Sequence, residues 1–145
     1  MDLDALYPLV TEAIRRAEVL DDLNAPGAAP AYLDVSLLEA KLAELLPVSD
    51  VEGAIARRGA VRAAVAAGDL PRAQELWARY AAEPGADAAL VTELGRLVAA
   101  AIGGAEQRDR SFAARYPHVS ATIGFDEVRR LARAWLQQGA PFPIG

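Results

Sequence analysis

His118, the chain's one histidine, and the arginines before it are the residues whose types most readily suggest chemistry. An imidazole titrates near neutrality and serves as general acid or base. Arg108, Arg110 and Arg115, with Tyr116 beside them, would hold phosphate for a metal-independent, nuclease-like hydrolysis. The spacing works against that reading, because Pro117 separates the arginines from the imidazole and keeps them off one helix face. A loop histidine bonded to backbone is the simpler account of His118. Metal chemistry has less to draw on. The chain has no cysteine, which removes thiolate ligands and thiol nucleophiles, and one imidazole is too few for most histidine-based zinc sites. Arg115, not a glutamate, stands three residues before His118, where a di-metal carboxylate bundle would need the acid. Gly103-Gly104 lacks the Lys and Ser/Thr that complete a phosphate loop, and no G-x-S-x-G occurs. No catalytic, cofactor or metal residue is expected, and the residue types point away from an enzyme.

A second chemistry rests on charge. Arg108, Arg110, Arg115, Arg129, Arg130 and Arg133 concentrate between residues 105 and 138, and a helix–loop–helix there would grip a phosphate backbone. The intervening turn is too long for a helix-turn-helix, and polar base-reading side chains are scarce. A solvated basic face is the simpler account. The whole chain carries a formal charge of −5, unevenly spread. Residues 1–52 hold three basic and eleven acidic side chains, a net of −8, which leaves +3 for residues 53–145. The first part repels nucleic acid; the asymmetry would suit head-to-tail association, but chance and the charge preferences of helix ends are the simpler account.

The elements that must position these groups are helices. Leu6, Val10, Ile14, Ala17 and Leu20 recur at helical spacing, widened by Leu9 and Ala13, so residues 4–23 form a helix starting close to Pro8. Asn24–Pro30 reads as a breaker loop. Ser36 with Glu39, or Asp34, would open the next helix, with Leu38, Leu42, Leu45 and Leu46 inward; Ser49 with Glu52 would open a third running to about Ala67. Gly68 reads as a left-handed terminator, and Asp69 with Pro71 starts a fourth helix that Pro84-Gly85 ends. Asp87 caps a fifth, expected to stop at Gly103-Gly104; residues 105–116 form a short helix or continue it after a kink. Asp126 caps a last one, with Val128, Leu131, Ala132 and Trp135 inward. The only strand-like run, 118–123, has no partner. The expected fold is all-α, a compact antiparallel bundle of six to seven helices, with one domain over 1–138 and a Pro-rich tail over 139–145.

Gly68-Asp69, Ala73, Trp77 and Pro84 together resemble the second helix of a tetratricopeptide repeat. In that family the small residue lets two helices approach and the aromatic fills the gap between units. The resemblance covers about one unit, residues 54–87. Its first helix departs from the family, having Arg57, Ala60, Val61 and Ala64 where the repeat places tryptophan, leucine, glycine and tyrosine. One repeat length downstream, Ile102, Gln107 and Ser111 replace the key residues, so no second copy follows. The resemblance implies a tight antiparallel helix pair rather than a concave repeat receptor.

A chain of 145 residues, 53% hydrophobic and 24% charged, suits a globular domain that needs no disulfide. Met1 is followed by Asp2 and Asp4, unlike a secretory leader, and the run Leu90–Ile102 is too short and too charged to span a bilayer. The expected location is cytoplasmic, without membrane contact. The arginine and alanine bias is that of a GC-rich, bacterial-looking gene. Trp77, Tyr80, Trp135 and Phe142 are large for so alanine-rich a chain, and any left exposed would mark a partner surface. The functional expectation is a protein-interaction module: an adaptor, assembly factor or regulatory subunit that binds a protein partner or itself. Nucleic-acid association and a His118 nuclease are the alternatives.

Overall fold

The computed structural model describes residues 1–115. They form five helices: α1 (Leu3–Asp22), α2 (Ala28–Leu45), α3 (Val51–Ala66), α4 (Leu70–Ala81) and α5 (Ala88–Arg115). No strand occurs among them. The fold is all-α, with five helices where six to seven were expected; the helix assigned to residues 126–138 lies outside the described residues.

Local chemistry explains most boundaries. Asp2 caps α1 by accepting the Ala5 N–H, Asp69 caps α4 by accepting the Arg72 N–H, and Asp87 accepts the Ala89 N–H at the start of α5. Gly68 and Gly85 adopt φ of +76° and +77°, conformations that a Cβ would strain. These starts and stops fall where the sequence places them, α1 excepted.

Four boundaries differ from expectation. α1 begins at Leu3, so Pro8 lies within the helix; the proline removes only the bond to the Asp4 carbonyl, and its ring is exposed. α2 begins at Ala28, so Pro30 is its third residue, where an N–H would have no intrahelical acceptor. Ser36 and Glu39 are therefore no capping box: both are buried in mid-helix against α3. Asp50, not Ser49, caps α3 and accepts the Glu52 N–H at 3.2 Å. α5 runs unbroken through Gly103-Gly104. Two glycines cost about 1 kcal/mol each relative to alanine, too little to stop a helix flanked by alanines.

Each helix packs against the next, and α5 folds back on α3. One apolar core runs through all five, from Leu6 and Val10 through Leu42, Val61 and Leu76 to Leu94. At the α2–α3 contact the facing residues are small, among them Ala40, Ala43, Ala56 and Ala60, which lets two backbones approach closely. Gly53 marks the tightest point, since a Cβ there would fall on the Pro47 carbonyl oxygen.

α5 is also longer than the run Leu90–Ile102 suggested. At 28 residues, with a mean hydropathy of 1.4 over 18 of them, it is the one described helix long and apolar enough to cross a membrane. Within the bundle its Leu90, Leu94 and Val98 are core residues, and its Glu93 pairs with Arg58 and Arg62 of α3.

Candidate functional site

The aromatic pair singled out in the sequence faces the chain's own helices. Trp77 is half-buried against Gly95 of α5, where a Cβ would stand 3.1 Å from the ring, and its indole N–H donates to the Val91 carbonyl at 2.9 Å. Tyr80 is 6% exposed, with the Arg57 guanidinium 5.6 Å from its ring centroid. Among the described residues the Tyr80 hydroxyl has no hydrogen-bond partner, and burial pushes its phenol up to about 12. Trp135 and Phe142 lie outside the described residues. So do His118 and the arginines Arg129, Arg130 and Arg133; Arg108, Arg110 and Arg115 are exposed on the last turns of α5.

Two buried polar arrangements hold the bundle together. Arg57 donates to Glu83 at 2.8 Å through both Nε and Nη2, to the Gly53 carbonyl at 2.9 Å and to the Leu46 carbonyl at 3.3 Å. One planar cation thus joins the ends of α2 and α4 to α3. Ser36 donates to the Ala60 carbonyl at 2.8 Å and accepts from Arg72 Nε at 2.9 Å, linking α2, α3 and α4. Glu39, one turn on from Ser36, is 6% exposed and lies over Gly59 of α3. Burial raises its carboxyl to about 7, with no cation paired to it among the described residues. These groups pack helices and do not converge on a cleft.

Among the described residues a cleft lies elsewhere, along the α1–α2 pair. It is a groove of about 420 Å³ whose apolar lining comes from Leu9, Ala13, Ala31, Leu37 and Leu38. Leu9 and Leu37 are each 44% exposed. Glu12 and Arg16 of α1 and Asp34 and Lys41 of α2 also line it. Of these four, only Glu12 has an ion-pair partner among the described residues, Arg15 one turn along the same helix. Both helices carry apolar residues around more of their circumference than one neighbour can cover, and the excess forms the groove.

Sequence reasoning did not single out this groove, although a signal was present. Leu9 and Ala13 widen the α1 stripe, and Leu37 follows the buried Ser36 outside the inward set of α2. Reading α2 from Ser36 instead of Ala28 hid how much of its surface faces α1.

Among the described residues no three His, Cys, Asp or Glu side chains cluster as a metal site would. What the groove offers is apolar area with charges of both signs along it, an arrangement that binds by burial and orients by charge. Compared with protein-family models, curated proteins and solved structures, the chain matches none.

Proposed function

We propose that this protein is a non-enzymatic interaction module, an adaptor, assembly factor or regulatory subunit, that engages a protein partner through the apolar groove of α1 and α2. The observation that carries this reading is the exposure of Leu9 and Leu37, each 44%, on either side of one continuous groove. Burying such a patch is favourable at about 25 cal/mol per Å² of apolar surface removed from water. The antiparallel pairing of α3 and α4, with Ala73 fully buried, supports reading residues 54–87 as a tetratricopeptide-like hairpin that braces the surface. Here the apolar surface is aliphatic, since Tyr80 is buried and Trp77 packs against α5.

The test is a photo-crosslinking side chain placed at Leu37 of the full chain and irradiated in the cells that make it. The expected result is a discrete protein adduct that weakens when Leu9→Gln is added. Adducts no different from those of the same probe at exposed Ala99 would overturn the reading.

A further inference from the structure

We infer that Glu39 is a proton-operated latch on α1, which stays docked while this carboxyl is neutral and lifts when it ionises. The latch works whether or not the groove takes a partner. α1 forms one wall of that groove, so lifting it would also take the groove apart.

Glu39 lies at a junction of three helices. Ala17 of α1, Ala31 and Val35 of α2 and Ala63 of α3 form one apolar cluster. Val10 of α1, Leu42 and Ala43 of α2 and Ala56 and Ala60 of α3 belong to the main core. Glu39 stands one turn beyond Val35 on α2, and Gly59 one turn before Ala63 on α3, so the carboxyl falls between the two clusters. Ile14 of α1 packs against both clusters and closes the junction from that side. A Cβ at residue 59 would stand 2.7 Å from Glu39 Oε1, so the glycine is what leaves room for the carboxyl.

The cations on the surrounding helices are engaged elsewhere. On α3, Arg57 is held by Glu83, and Arg58 and Arg62 turn to Glu93. On α1, Arg15 pairs with Glu12 and Arg16 lines the groove, as does Lys41 of α2 itself. Arg72 of α4 reaches only as far as the Ser36 hydroxyl, one turn before Glu39. The remaining charges of α1 (Asp4, Glu18, Asp21 and Asp22) and Glu52 of α3 are negative, as are Asp34 and Glu44 of α2. Burial therefore acts unopposed, and the carboxyl keeps its proton up to about pH 7.

Once ionised, the carboxylate must reach water, and α1 is the cover that yields. α2 and α3 share the most extensive packing and are crossed by the Ser36 and Arg57 hydrogen bonds. Besides its apolar contacts, α1 is tied down by two exposed hydrogen bonds, from the Tyr7 hydroxyl to Glu52 and from the Tyr32 hydroxyl to Asp21. Lifting α1 returns the carboxyl to its ordinary value near 4.5, so the open form gains from there up to about pH 7. The gain is about tenfold for each pH unit.

The test is amide exchange of the full chain between about pH 5 and about pH 8, corrected for intrinsic rates and resolved by NMR. Amides around Ile14 and Ala17 should be less protected than those around Leu76 of α4. Their protection should fall about tenfold per pH unit up to about pH 7 and then level off. Glu39→Gln should keep α1 protected and flatten the profile. Gly59→Ala, whose methyl displaces the carboxyl, should leave α1 poorly protected even in acid. In the unaltered chain the Glu39 carboxyl carbon should titrate near 7, a reading that needs no variant to fold. A flat α1 profile in the parent, or a sloping one that persists in Glu39→Gln, overturns the inference. So does full protection of α1 in acid in Gly59→Ala, or a Glu39 midpoint near 4.5. Equal protection of α1 and α4 at every pH also overturns it, because the bundle would then open only as a whole.

Discussion

Glu39 sets the tone at the scale of single residues. A carboxyl lying over Gly59, 6% exposed and with no cation paired to it among the described residues, holds its proton up to about pH 7 in the folded chain. Below the ordinary carboxylate value near 4.5, both folded and unfolded chains are protonated at this site, and burial costs nothing extra. As pH rises from there to about 7, the unfolded chain ionises and the folded chain does not, so stability falls and the loss is complete above 7. A Glu39→Gln variant has no such dependence. Its stability relative to the parent should shift in its favour by about 3 kcal/mol between acid and alkaline conditions, read from urea midpoints at pH 4 and pH 8. The opposite sign applies to Glu93, which the hydrogen bonds from Arg58 hold below its usual range, so it would lose its contribution only in acid. Neither environment was legible in sequence. Glu39 stood three residues after a serine in a pattern that also describes a helix start, and only the packing of α3 shows which reading holds.

At the scale of elements, signals satisfied within a few residues were the readable ones. Asp69, Pro71 and Gly68 act on backbone groups one to three positions away, and the structure places each as a helix cap, a first-turn proline and a terminator. The signals that failed depend on competition. Asn24–Pro30 contains two prolines and a glycine, yet Pro30 is harmless in a first turn, so α2 starts early. Gly103 and Gly104 lower helix propensity, but the alanines around them keep α5 continuous. This gives an opposed pair of predictions for one substitution. Gly103→Ala, with nothing within 4 Å of the added carbon, should raise stability by up to about 1 kcal/mol. Gly53→Ala forces its methyl onto the Pro47 carbonyl and should lower the thermal midpoint, because the turn between α2 and α3 must open. Equal shifts in the two melting curves would contradict the close approach at Gly53.

Across the whole molecule, the helices are not equally secured. α2 and α3 share the most extensive packing and are crossed by both the Ser36 and the Arg57 hydrogen bonds. α1 packs chiefly on α2, with the Tyr7 hydroxyl donating to Glu52 of α3, and turns Leu9 and Val19 outward. Amide exchange should therefore be slowest in the middle of α2 and α3 and faster along α1, measured by mass spectrometry at neutral pH. Uniform protection over residues 3–66 would refute that ordering. The helical class was legible from periodicity, and the acidic character of the first 52 residues from counting. The groove was not, because it depends on which faces of two helices remain after each has chosen its neighbour.

The contact between Trp77 and α5 has an optical consequence. An indole that donates to a main-chain carbonyl and rests on a glycine has its emission set by that one seam. With Trp135 replaced by phenylalanine, the remaining tryptophan would act as a built-in gauge of α4–α5 docking, its colour reporting separation of the two helices without any added label. Events at the α1–α2 face could then be followed from the far side of the core, and any colour change on loading that face would measure how far the bundle transmits a load.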